Sequence, residues 1–261
     1  MSTTNIVVLK FGGSVIHSDA DFHRIHHEIK RHTSQDHLVV AVVSAFYGVT
    51  ESLINKAIKN GFKPSSSDYA EQIAKGEFTS ANELVSYLNA RGTDASRKSP
   101  AELEFMAEGA RDSGKPIRIN AHLINSALSR TPVIVVPGYS AIDSNGDCIL
   151  LGRGGSDISA VCIAESLGLN SVRLLKDVDG LYDMDPNKHP NATRLDYVNY
   201  ATAKEIGGEL IQTEAIEFAA SRGIFIDIAA IGETEVSRIG PIESCAQLVD
   251  VAPLSSEANV A

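Results

Sequence analysis

The chain has 261 residues, 43% of them apolar and 21% charged, with 20 glycines against 9 prolines. Those are globular proportions, and they exclude a disordered or fibrous chain. Its 23 basic and 33 acidic residues sum to −10 with histidine neutral, so no basic excess draws it to a nucleic-acid backbone or an anionic membrane.

In chain order, Ile6 to Leu9 reads as a buried strand that ends in Lys10-Phe-Gly-Gly-Ser14. Phe22, Ile25 and Ile29 then recur at helical spacing between Asp19 and His32, with Asp19 a candidate N-cap. A second β-branched strand covers Leu38 to Val43 and ends in the small residues Ser44-Ala45. Helices are expected over 50–60 and 82–91, with a turn-rich Gly61–Ser67 between them. A loop over 92–100 precedes an expected helix at 101–113, and another helix covers 119–128. Pro132 to Val136 is a third strand, and Asn145-Gly146 makes 141–150 a hairpin. A helix at 156–167 opens directly out of a glycine loop, and strands follow at 172–175 and 225–229. Nearly continuous apolar strands alternating with helices specify an α/β fold with a mainly parallel sheet.

Three cysteines (Cys148, Cys162 and Cys245) are scattered without CxxC spacing, which argues against a disulfide framework or a thiolate zinc site. The N-terminus carries no basic region ahead of a long apolar stretch, and no apolar run is long enough to span a bilayer. A cytoplasmic protein is therefore expected.

Three loops concentrate the chemistry. In Lys10-Phe-Gly-Gly-Ser14 the glycines let backbone N–H groups approach a phosphate and the lysine offsets its charge; a plain tight turn is the alternative. In Gly152-Arg-Gly-Gly-Ser-Asp157, a helix N-terminus, three glycines, an arginine and an aspartate converge into an anion site. The acidic loop from Lys176 to Pro186 lacks the spacing of an EF-hand and is open to ribose, base or phosphate. There is no Walker loop, GxGxxG or GxSxG. His23, His26 and His27 have spacing that could hold zinc, but they share a helix whose apolar face must turn inward and read as a solvated face.

Taken in series, these loops resemble the amino-acid kinase family, most closely the catalytic domain of aspartokinases. The resemblance runs from Val8-Leu-Lys-Phe-Gly-Gly-Ser14 through Val42-Val-Ser-Ala-Phe-Tyr-Gly-Val-Thr50 and Gly76-Glu77, placed at the head of a helix. It continues with Pro137-Gly-Tyr139, Leu151-Gly-Arg-Gly-Gly-Ser-Asp157 and Asp177-Val-Asp-Gly-Leu-Tyr182, and covers about residues 5 to 230. It implies a three-layer α/β/α fold and transfer of the ATP γ-phosphoryl group to the side-chain carboxylate of L-aspartate, giving 4-phospho-L-aspartate. By position, Lys10 would contact the transferring phosphate, Gly12, Gly13 and Ser14 would cradle it, and Asp157 would hold Lys10. Arg153 would grip the substrate carboxylate and Glu77 its ammonium, with Thr50, Tyr139 and Ser156 lining the pocket. Ser44, Asp177 and Tyr182 fall on the nucleotide side. A carboxylate is already nucleophilic at neutral pH, so catalysis reduces to positioning and charge stabilisation, with Mg²⁺ as the expected metal and no protein ligand assigned to it.

The pattern also departs from the family. Asn187 stands where an arginine is usual, with Lys188 following as a substitute on the nucleotide side, and Lys176 stands where a threonine is usual. Glu209 falls where the family has a lysine that contacts ATP phosphates, a charge reversal for which Lys176 is the candidate compensation. A single domain over 1–252 is expected, with a substrate-side lobe to about 170, a nucleotide-side lobe after it, and a polar tail at 253–261. The regulatory modules of typical aspartokinases are expected to be absent, and a homodimer is expected. The alternatives are a kinase of the same fold acting on another small carboxylate or amino acid, and a nucleotide-binding subunit without catalysis.

Overall fold

The computed structural model describes residues 5–241 apart from 185, 187 and 209. The expected polar tail and Cys245 lie outside the described residues. The chain begins with β1 (Ile6–Phe11), α1 (Phe22–Thr33), β2 (Leu38–Val43), α2 (Val49–Lys59) and α3 (Ser67–Ala90). Three short strands follow, β3 (Ala95–Arg97), β4 (Met106–Glu108) and β5 (Lys115–Arg118), then α4 (Ala121–Leu128). Next come β6 (Val133–Pro137), β7 (Ser140–Ile142), β8 (Cys148–Leu150), α5 (Gly155–Ser166) and β9 (Ser171–Lys176). The last part contains β10 (Leu181–Tyr182), β11 (Arg194–Leu195), β12 (Tyr197–Asn199), α6 (Tyr200–Ile206), α7 (Thr213–Arg222), β13 (Phe225–Ala230) and β14 (Ser237–Gly240).

Eight strands form the main sheet in the order β12-β14-β13-β9-β1-β2-β6-β3. The six from β13 to β3 are parallel, and β14 pairs antiparallel to β13, with β12 parallel to β14. Strand alternation makes the three layers. Val8, Val40, Val42, Ile134, Val136, Val172 and Leu174 pack with α4, α5, α6 and α7 on one face. Leu9, Phe11, Val39, Ala41, Val43, Val133, Val135 and Leu175 pack with α1 and α3 on the other. Both faces are covered, so these strands carry apolar side chains at nearly every position. Each fully buried Val, Leu or Ile contributes about 1.5–3 kcal/mol of transfer free energy. A smaller sheet, β5-β4-β7-β8, flanks the carboxyl end of the main one.

The expected elements need five corrections. Within the loop expected over 92–100, β3 (Ala95–Arg97) pairs in parallel with β6. Residues 101–113 are not helical: Leu103 and Phe105 are fully buried, and 106–108 pair with β5 and β7 as β4. The apolar spacing of Leu103 and Phe105 serves a turn-and-strand core contact, which a short window does not separate from a helix. The helix expected at 82–91 is the second half of the 24-residue α3, which the Ser66 side chain caps by accepting from the Tyr69 amide at 3.2 Å. Glu77 therefore sits in mid-helix, not at a helix head. Asp19 does not cap α1: the N-cap position is Asp21, without a side-chain cap, and Ser18 closes a capping box with Asp21 around the preceding 3-10 turn at Asp19–Asp21.

Candidate active site

The sheet order places β1 between β2 and β9, and from β1 the chain first builds outward through β2 and later returns on the opposite side. In parallel α/β sheets such a reversal opens a crevice at the carboxyl ends of the strands. Here that crevice is a cleft of about 570 Å³. Lys10 near the end of β1 and Lys176 at the end of β9 face into it from adjacent strands. The first turns of α2 and α5 contribute Gly48, Thr50, Ser156 and Asp157 to its wall. Two helix N-termini at one cleft supply unpaired N–H groups and the positive ends of two dipoles.

Both helices start from a glycine in the left-handed region, Gly48 at φ 74° and Gly154 at φ 68°. At Gly154 the choice is also steric, because a Cβ would lie 2.9 Å from Cβ of Gln212. The adjoining Gly155 lets α5 start directly against Tyr139, where a Cβ would lie 2.6 Å from the ring. These two glycines set α5 deep enough for its first-turn aspartate to reach the strand ends.

Asp157 joins the two lysines. Its Oδ1 lies 2.6 Å from Lys10 Nζ, an ion pair not aligned as a hydrogen bond, and its Oδ2 accepts from Lys176 Nζ at 3.3 Å. All three residues are buried. Burial pushes the Asp157 carboxyl upward, but the Lys10 and Lys176 ammoniums outweigh it and hold the group below its ordinary value. Burial lowers Lys176 to about 8, against the pull of Asp157.

Glu77, Tyr139 and Arg153 also line the cleft. Glu77 is 2% exposed, and its Oε2 has no hydrogen-bond partner among the described residues. Burial raises its carboxyl to about 7, partly offset by the Ala45 amide, its own amide and the Lys10 charge. Gly76 allows this approach, since a Cβ there would meet Cβ of Ala45 at 2.8 Å. Tyr139 adopts φ 67°, unusual for a side chain of its size, and its amide donates to Ser159 Oγ at 3.1 Å. Burial, with Glu77 next, raises its hydroxyl to about 12.

The cleft thus brings together Lys10, Gly13, Ser14, Ser44, Thr50, Glu77, Tyr139, Arg153, Ser156, Asp157 and Lys176. Gly12 lies beside them, with a Cβ there 3.1 Å from Lys10 Nζ. Asp177, Tyr182 and Lys188 are not part of its wall: Asp177 and Lys188 are exposed beyond β9, and the Tyr182 hydroxyl donates to Asp179. Asn187 and Glu209 lie outside the described residues. Four wall residues escape a reading of the sequence, Tyr69, Asp112, Leu210 and Gln212. Tyr69 had a signal, two helical turns before Glu77 on α3; Asp112 was masked by the helix assigned to its segment. His23 and His26 are engaged locally, with the Ala20 carbonyl and the Thr93 hydroxyl.

The model of the amino acid kinase family matches residues 5–226. The chain belongs to that family. Within it, the chain is 29% identical over 222 residues to the aspartokinase of Pseudomonas aeruginosa, covering 84% of this chain and 54% of that protein. It is 27% identical over 226 residues to the aspartokinase of Thermus thermophilus, covering 85% and 56%. The chain therefore spans about half the length of these curated relatives. Among solved structures, aspartate kinase from Synechocystis superposes with a TM-score of 0.76 at 25% identity, over 90% of this chain and 40% of that one. E. coli aspartokinase III in complex with aspartate and ADP gives 0.73 at 19%, over 90% and 64%. UMP kinase from Ureaplasma parvum gives 0.63 at 14%, over 91% and 99%, a likeness of fold. The α/β fold with its mostly parallel, helix-flanked sheet is the amino-acid kinase fold. No helix among the described residues is long and apolar enough to cross a membrane.

Proposed function

We propose that this amino-acid kinase transfers the γ-phosphoryl group of ATP to the side-chain carboxylate of L-aspartate. The carrying observation is one cleft lined by the buried carboxylate of Glu77, whose Oε2 has no hydrogen-bond partner among the described residues, by Arg153, and by the Lys10–Asp157–Lys176 cluster. A small zwitterion has the complementary pair of charges: its ammonium suits Glu77 and its α-carboxylate suits the Arg153 fork. The remaining carboxylate is then directed toward the lysine end.

An acceptor carboxylate oxygen attacks the γ-phosphorus, the bond from that phosphorus to the β-phosphate bridging oxygen breaks, and ADP leaves with the electron pair. No general base is needed, because the nucleophile is ionised already. Lys10 neutralises charge on the transferred group, Asp157 holds Lys10 in place, and the Gly12, Gly13 and α5 N–H groups bind phosphate oxygens. Asp177, Tyr182 and Lys188, on the loop beyond β9, are assigned to the nucleotide. Among the described residues no cluster of three or more His, Cys, Asp or Glu is placed to hold a metal. Mg²⁺ bound to the phosphate oxygens would shield their charge from the incoming carboxylate.

Trapping with hydroxylamine in ATP and Mg²⁺ tests the reading. Aspartate hydroxamate that Arg153→Ala reduces by about tenfold or more, through the acceptor KM, supports it. Hydroxamate from a different acid moves the acceptor within the same chemistry, and none from any acid refutes phosphoryl transfer to a carboxylate.

A further inference from the structure

We propose that Lys176 is a second phosphate-contacting cation, presented by β9 beside Lys10 and held by the same Asp157 carboxylate, so that the transferred phosphoryl group sits between two ammoniums. The assignment rests on the phosphotransferase reading of the cleft and adds a residue to it.

The argument is one of charge and place. Lys10 and Lys176 come from neighbouring parallel strands, and Lys10 pairs in register with Leu174, two residues before Lys176. Both ammoniums are buried at the carboxyl end of the sheet and line the cleft. They share one carboxylate, with Lys10 at 2.6 Å from Oδ1 and Lys176 at 3.3 Å from Oδ2. Two cations and one anion leave a buried excess of one positive charge. A buried charge without a counterion is costly, so a fold that keeps one at the mouth of a cleft is arranged for an anion. Glu77 does not cancel that excess, because burial raises its carboxyl to about 7 and leaves it only partly ionised at neutral pH. The α5 N-terminus points the same way, toward negative charge.

The charged groups acting on Lys176 are Asp157 from α5, Lys10 from β1 and Asp177 on its own loop. Their balance with burial leaves its pKa at about 8. The ammonium is then present at neutral pH and lost as the pH rises through 8, and nucleotide capture by the free enzyme must fall over that range. Arginine at this position would keep its charge throughout.

The test uses the full chain. The Kd for Mg·ATP is measured by titration calorimetry without acceptor, and kcat/KM for ATP by hydroxamate formation, between pH 6.5 and 9.5. The wild type, Lys176→Met and Lys176→Arg are compared. The expected result is roughly 10- to 100-fold weaker ATP binding in Lys176→Met, the range for a charged hydrogen bond. An alkaline fall near pH 8 should be present in wild type and absent in Lys176→Arg, which restores binding. A folded Lys176→Met with wild-type ATP affinity overturns the assignment. If Lys176→Met does not fold, an alkaline fall that persists in Lys176→Arg overturns it equally. Failure of wild type to bind ATP would remove the phosphotransferase reading as well, which separates the two outcomes.

Discussion

Glu77→Gln should stabilise the unliganded protein while it abolishes use of the acceptor. Glu77 lies in mid-α3, 2% exposed, and burial raises its carboxyl from the ordinary 4.5 to about 7. A carboxyl whose folded value is raised binds its proton longer in the native state than in the unfolded one. Stability from this group is therefore greatest below pH 4.5 and declines as the pH rises to 7, after which it is level. The full loss is about 3 kcal/mol at 1.36 kcal/mol for each tenfold change in proton affinity. Between pH 5 and pH 8 about 2.5 kcal/mol of it should be seen, since some ionisation has occurred in the unfolded chain by pH 5.

Glutamine keeps the shape of the protonated acid and does not titrate. The stability difference between Glu77→Gln and wild type should therefore grow by about 2.5 kcal/mol from pH 5 to pH 8. Urea unfolding at fixed pH values reads this directly, provided m is unchanged. The amide adds a constant offset, from burying a group with one unmatched donor, which cancels in the pH comparison. In parallel, acceptor KM in wild type should fall as the pH rises through 7, because an ionised Glu77 is what an ammonium needs. Parallel stability curves for the two proteins would refute the reasoning, since they would mean that Glu77 is not desolvated. A variant that still turns over aspartate with native KM would refute its role as the ammonium partner.

Asp157→Asn leaves two buried ammoniums facing each other, and about 3 kcal/mol of stability should be lost at pH 7. Because a lysine can then shed its proton, the loss should shrink toward pH 9, and hydroxamate formation should be abolished at both. Glu28→Gln tests a different buried acid, fully buried on α1, which pairs with Arg31 at 2.5 Å and accepts from the Gly232 amide at 3.0 Å. Burial raises its carboxyl, but His32, Arg31 and Gly232 prevail and bring it to about 2. Its contribution, about 2–3 kcal/mol after allowance for screening, is present above pH 4.5 and lost as the pH falls toward 2. The variant should unfold more easily than wild type at pH 7 and no more easily near pH 2, by the same urea titration, with kcat unaffected.

The strands and most helices were legible because their signal is local. Six residues of Leu38-Val-Val-Ala-Val-Val43 can only be a strand buried on both faces, and the sheet requires nothing more of them. The glycine loops were legible for a related reason: Gly154 and Gly155 are needed for a positive φ and for close packing, whatever surrounds them. The helix assigned to 101–113 failed where the decisive contacts are distant. Leu103 and Phe105 are buried by segments far along the chain, and strand pairing with 115–118 and 140–142 overrides local spacing.

What composition and spacing could not supply is the coupling between loops. The sequence shows Lys10, Asp157 and Lys176 as three separate charges, and only the return of β9 beside β1 makes one aspartate serve both lysines. The same holds for Glu77, whose carboxyl is raised by burial in the folded protein, against the Ala45 amide and the Lys10 charge. Both features are costs to the stability of the free protein, an excess cation and a desolvated acid lining one cleft. A zwitterionic acceptor and a polyphosphate would relieve both together, each anion meeting a cation and the ammonium meeting Glu77. If that is why the fold tolerates them, ligands should stabilise jointly: the rise in melting temperature with aspartate and a non-hydrolysable ATP analogue together should exceed the sum of the separate rises. A simple sum would mean that the two ends are independent sites.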